Sequence, residues 1–117
     1  MIDLISTKNH EITIHTLELI RLLVIQRENK VHFLANENFV PTFLKLLESD
    51  AFSDVILLST CILWIFVYDF EKAKVECKKY HLDSKISQLE KRLYFRKGEE
   101  MADKSRLNSN AILQLVL

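Results

Sequence analysis

The sequence predicts an all-α fold, and three observations carry that prediction. It holds one Gly and one Pro in 117 residues, 49% of it is hydrophobic, and its apolar positions recur at helical spacing along most of the chain. Tight hairpins, phosphate loops and dinucleotide-binding turns rely on glycine, so a chain whose only glycine is Gly98 is ill suited to all-β, Rossmann or P-loop architecture. Sixteen basic side chains balance 16 acidic ones, and the net charge of zero supplies no global field toward nucleic acid or a membrane surface.

From Glu11 to Gln26, Ile12, Ile14, Leu17, Leu19, Ile20, Leu22, Leu23, Val24 and Ile25 cover more than one stripe of a long, mostly buried helix. Glu28 to Ala35 is a shorter amphipathic segment closed by Asn36-Glu37-Asn38, where asparagine, in place of glycine, suits a left-handed, sharp turn. Pro41 falls in the first turn of the next helix, which carries Phe39, Val40, Phe43, Leu44, Leu46 and Leu47 and stops at Glu48-Ser49-Asp50. Ser49 to Asp54 reads as a polar loop, with Ser53 or Asp54 as N-cap of the following helix.

Val55 to Tyr68 is the longest apolar run, 14 residues between Asp54 and Asp69. A bilayer takes about 20, so the run is expected to be a central buried helix. Glu71 to Tyr80 and Leu82 to Phe95 follow, the second with Leu82, Ile86, Leu89 and Leu93 in one stripe. Lys97-Gly98-Glu99-Glu100 breaks it, and a polar stretch, Met101 to Asn110, leads into the apolar segment Ala111 to Leu117. Met1-Ile2-Asp3-Leu4-Ile5-Ser6 lacks the basic and apolar regions of a secretory signal, and two cysteines make no disulfide framework, so an intracellular setting is expected.

Long, short and medium segments recur. A shift of 44 sets Thr16 on Thr60, Leu19 on Leu63, Ile20 on Trp64, Leu23 on Val67, Lys30 on Lys74 and Val31 on Val75. A shift of 43 sets Phe39 on Leu82, Phe43 on Ile86 and Leu46 on Leu89, one residue being lost after the short helix. Armadillo and HEAT solenoids have periods of about 40–47 residues.

The stretch from Glu28-Asn29-Lys30-Val31 to Phe39-Val40-Pro41-Thr42-Phe43-Leu44-Lys45-Leu46-Leu47 resembles the first two helices of an armadillo repeat, and Cys61-Ile62-Leu63-Trp64 resembles part of its third. The resemblance implies an α-solenoid fragment of a longer protein. Its parts would be a third helix at about 10–26, a full repeat at about 27–70, a partial repeat at about 71–97 and a helical tail at about 101–117. It also implies a protein-interaction scaffold or peptide-binding, transport-type adaptor, with protein partners and possible self-association through exposed repeat ends.

In that family third helices line a concave groove, which would place Trp64 and Tyr68 there with Ile20 and Val24 beside them as partner-binding residues. The sequence departs from the family at Asn38, where glycine is usual. Val24 and Tyr68 stand where peptide-binding members carry an asparagine, so the peptide clamp of nuclear import receptors is missing. More narrowly, Leu63 to Val75 followed by Leu82-Asp83-Ser84-Lys85-Ile86 is similar to repeats of the rotatin family, large armadillo-like proteins of centrioles and ciliary basal bodies. That similarity implies a structural role in centriole assembly or cilium integrity.

Chemistry-bearing residues are sparse. His10, His15, His32 and His81 lack zinc-site spacing, and Cys61 and Cys77 have no histidine partner in a recognisable pattern. No catalytic residue, cofactor or metal is expected. Residues 1–70 hold five basic and nine acidic side chains, whereas 71–97 hold nine and four. The basic block is Lys72, Lys74, Lys78, Lys79, Lys85, Lys91, Arg92, Arg96 and Lys97, expected as a solvated face interleaved with Glu71, Glu76, Asp83 and Glu90 and without an aromatic platform for nucleic acid.

Overall fold

Apolar runs separated by short polar breaks fold into seven α-helices among the described residues, which are 5, 9–48, 52–96 and 98–116 of this computed structural model. They are α1 (His10–Val24), α2 (Arg27–Ala35), α3 (Phe39–Glu48), α4 (Ser53–Val67), α5 (Glu71–Lys79), α6 (Leu82–Tyr94) and α7 (Glu100–Val116). The expectations for Met1 to Ser6 (Ile5 apart), the 49–51 part of the polar loop, Lys97 and Leu117 fall outside the described residues.

The molecule measures 36 × 33 × 20 Å, and its thin axis is about two helix diameters. Helices touch their counterparts three places on: α1 lies on α4, α2 on α5, α3 on α6 and α4 on α7. The all-α arrangement is thus compatible with a helical repeat. Burial gives the register. Thr13, Thr16, Leu17, Ile20 and Val24 are the buried residues of α1, and a shift of 43 carries each onto a buried residue of α4, namely Ile56, Ser59, Thr60, Leu63 and Val67. The short helices α2 and α5 keep the shift of 44, and α3 and α6 begin 43 apart. Alongside the residue lost after the short helix, one is therefore gained after the long one.

An aromatic cluster joins α2 and α3 to α4. Phe39, wholly buried, stacks on Phe33 at 4.9 Å and meets Phe43 at 4.9 Å and Phe66 at 4.8 Å between ring centres. Such pairs add to the burial of the rings themselves.

The local details differ from the sequence reading in two places. Asn36 is extended (φ −83°, ψ 107°), and the turn closes because its Oδ1 accepts from the Asn38 N–H at 3.0 Å. The left-handed positions are instead Asp69 (φ 52°) and His81 (φ 59°). The N-cap of α4 is Phe52, so Ser53 and Asp54 are helical, and the Asp54 carboxylate accepts from the Val55 N–H at 2.8 Å. The tail at about 101–117 is helix over Glu100–Val116, polar stretch included, and it packs through Ala102, Ser105 and Ser109.

Helix C-termini leave carbonyls without donors, and long side chains supply them. Asn29 Nδ2 donates to Leu23 O at 2.8 Å, Lys30 Nζ to Tyr68 O at 3.0 Å, and Arg27 Nη1 to Asp69 O at 3.2 Å. Arg92 on α6 donates to the Leu47 and Glu48 carbonyls that end α3. Burial, then the Arg27 charge, holds the Lys30 ammonium below its ordinary pKa of 10.5, with Asp69 opposing.

Between that lowered pKa and 10.5 the unfolded chain binds more protons at Lys30 than the folded one, so the stability of the wild type rises with pH there. Urea unfolding of wild type against Lys30→Met across this window should show the wild type gaining on the variant, because other titrating groups cancel in the comparison. His81→Gly should raise stability by up to about 1 kcal/mol, since glycine takes the left-handed conformation without a Cβ penalty; a loss in thermal unfolding would refute this.

Candidate functional site

Helix α4 is apolar nearly all round but is not covered all round. Val55, Ile56, Ser59, Thr60, Ile62, Leu63, Phe66 and Val67 are buried, while Leu57, Leu58, Cys61, Trp64, Ile65 and Tyr68 form a stripe at helical spacing that stays partly open. Its flanks are α1 and α7, the helices on either side of α4. Together they form an open groove of about 510 Å³, floored by Leu57, Leu58, Cys61 and Trp64, with Arg21 from α1 and Lys104, Leu107 and Asn108 from α7. A second hollow of about 330 Å³ lies along Trp64, Ile65 and Tyr68. Both use Trp64. Asn108 Nδ2 donates to Thr60 Oγ1 at 3.2 Å and fixes the α7 wall to the floor.

The structure brings Trp64 (38% exposed) and Tyr68 (60%) to this face, but Ile20 and Val24 are fully buried. A shift of 44 pairs Ile20 with Trp64 and Val24 with Tyr68. The register of burial is 43, which pairs Ile20 with Leu63 and Val24 with Val67, all in the core. One residue is about 100° of helix rotation. The true counterparts of Trp64 and Tyr68 on α1 are therefore Arg21, which lines the groove, and the exposed Ile25. Sequence reasoning missed Arg21, Leu57, Leu58, Cys61, Lys104, Leu107 and Asn108. A shift of 43 applied to the long helices would have found Arg21, whereas hydropathy cannot choose an open side on a helix apolar all round.

Five of the nine basic-block side chains are engaged within the fold. Lys74 pairs with Glu71 at 3.1 Å, Lys79 with Glu76 at 3.5 Å and Lys85 with Glu48, while Arg96 binds Glu99 and Ser53 and Arg92 caps α3. His10 sits 3.1 Å from Asp54 and edge-on to Phe52, joining the starts of α1 and α4. Among the described residues, no group of three or more His, Cys, Asp and Glu side chains gathers to hold a metal ion, and no helix is long and apolar enough to cross a membrane. The groove can accept apolar side chains and offers two cations and an amide. No family model, curated protein or solved structure matches the chain.

The two thiols differ in kind. Burial raises the Cys61 pKa, with the Arg21 charge pulling against it, while burial and then Glu76 push Cys77 up to about 12. Thiolate is the reactive form. At mildly alkaline pH a maleimide should modify one thiol of the native protein slowly and the second only on denaturation, and Cys61→Ser should abolish the native-state reaction. Native-state reaction at Cys77 would contradict this packing.

Proposed function

We propose that the chain is a non-catalytic protein-interaction scaffold of the armadillo-like helical-repeat type, and that it works through the α1–α4–α7 face. The observation that carries this reading is the recurrence with a 43-residue register, in which helices meet their counterparts three places on. The tail helix fits the same scheme. α7 lies on α4 and α6 as α4 lies on α1 and α3, so α7 is read as the third helix of the second unit. Stacked repeats bury a continuous core and leave a row of equivalent helices as a binding face. An open, aromatic-bearing groove along that row suits a protein segment, since Trp and Tyr dominate binding hot spots. The net charge of zero and the interleaving of the basic block with Glu71, Glu76, Asp83 and Glu90 favour a protein partner over nucleic acid.

The rotatin-like stretch 63–75 adds a setting to the proposal, a centriole or ciliary basal body, and it rests on that sequence similarity alone. Trp64→Ala with Tyr68→Ala should abolish capture of partners from centriole-containing cells while leaving the circular dichroism of the helices unchanged. Capture that survives both substitutions would remove the groove from the function. A tagged chain that never coincides with a centriolar marker would remove the setting and leave the scaffold reading standing.

A further inference from the structure

The groove carries charge of one sign. Arg21 and Lys104 stand on helices flanking α4, and no carboxylate is among the groove's lining residues. Neither cation is locked. Arg21 makes no ion pair with a described residue, and Lys104 meets Glu100 at 3.0 Å in an exposed i,i+4 pair that a partner carboxylate can replace at small cost. Asn108 holds its place through Thr60, leaving part of its amide facing the same space.

The hollow between α2 and the start of α5 is a contrast. It is similar in size, about 550 Å³, but its lining mixes signs, with Glu71 beside Arg27 and Lys72, and its arginine is already used: Arg27 donates to Asp69 O and lies 5.5 Å from the Phe70 ring centre. The α1–α4–α7 groove therefore combines unspent positive charge with an apolar floor, and a charge beside low-dielectric walls acts more strongly than one in open water.

We propose that the occupant of this groove is an acidic protein segment carrying bulky apolar side chains, its apolar residues seated on Leu57, Leu58, Cys61 and Trp64 and its carboxylates paired with Arg21 and Lys104. This rests on the groove reading above and adds the chemistry of the partner. The groove volume lies within the roughly 300–1,000 Å³ that accommodates a compact ligand, which is room for a few large side chains. A basic segment would set like charges against both walls.

The test is a selection of displayed random short peptides on the intact chain, followed by anisotropy with the synthesised winners. The winners should be enriched in Asp and Glu together with Leu, Phe or Trp, should slow maleimide modification of Cys61, and should lose affinity as salt rises. Arg21→Glu with Lys104→Glu should weaken them by roughly tenfold or more, as expected when close charge pairs are reversed. Arg21→Lys with Lys104→Arg should retain most of the affinity, and this pair shows that the face tolerates substitution. Neutral or basic winners that still protect Cys61 would overturn the acidic assignment and keep the groove. Winners that leave Cys61 unprotected, or a selection with no winners, would overturn both.

Discussion

Packing on both sides of α4 is the constraint on which the rest depends. A 15-residue helix this apolar cannot face water on most of its surface. Three neighbours cover it: α1 and α7 on its flanks and α3 through the Phe39–Phe66 contact. Close approach to the flanks is built from small side chains, with Ser59 and Thr60 on α4 and Ala102, Ser105 and Ser109 on α7 all buried. The stripe left over by these contacts is the groove. The site is thus a remainder of packing, and its floor is rigid because the opposite side of the same helix is the core.

A chain with one glycine has to end its helices by other means. Gly98 supplies one positive φ (100°), and the remaining left-handed positions among the described residues fall to Asp69 and His81. Carbonyls at the ends of α1, α3 and α4, the Asp69 turn included, are taken by Asn29, Lys30, Arg27 and Arg92, reaching across from other helices. Three of these contacts span 38–45 residues of sequence, close to the spacing of the units. Capping here is tertiary structure, so helix ends and the packing between helices stand or fall together.

Much of this architecture was legible, because helical periodicity and the near absence of glycine are local properties. The order of the helices and their approximate bounds follow from apolar spacing in Leu82, Ile86, Leu89 and Leu93, or from the break at Asn36 to Asn38. The rotational setting of α1 was not legible. Ile20 and Arg21 differ by one position, and in a segment with apolar residues at 17, 19, 20, 22, 23, 24 and 25 several registers satisfy hydropathy equally. Only the neighbours choose among them, burying Ile20 and Val24 and turning Arg21 out. The α7 wall was hidden for the opposite reason. Lys104, Leu107 and Asn108 lie in a helical tail whose polar part gives hydropathy no packed side to mark, because alanine and serine do the packing.

The groove therefore belongs to the packing of three helices and to no single one. Arg21 and Lys104 lie 83 positions apart in the sequence and reach one groove only because α1 and α7 flank the same α4. Neither charge would recognise anything of definite shape on its isolated helix, where an exposed pairing contributes little. Placed on flanking helices of one floor, they have a defined spacing, and the aromatic hollow at Trp64 and Tyr68 continues the same line toward the α4 C-terminus. That end is where Lys30 and Arg27 secure the Tyr68 and Asp69 carbonyls. The interactions that terminate α4 thus also fix the backbone that carries Tyr68, so the setting of the aromatic hollow depends on contacts made by α2.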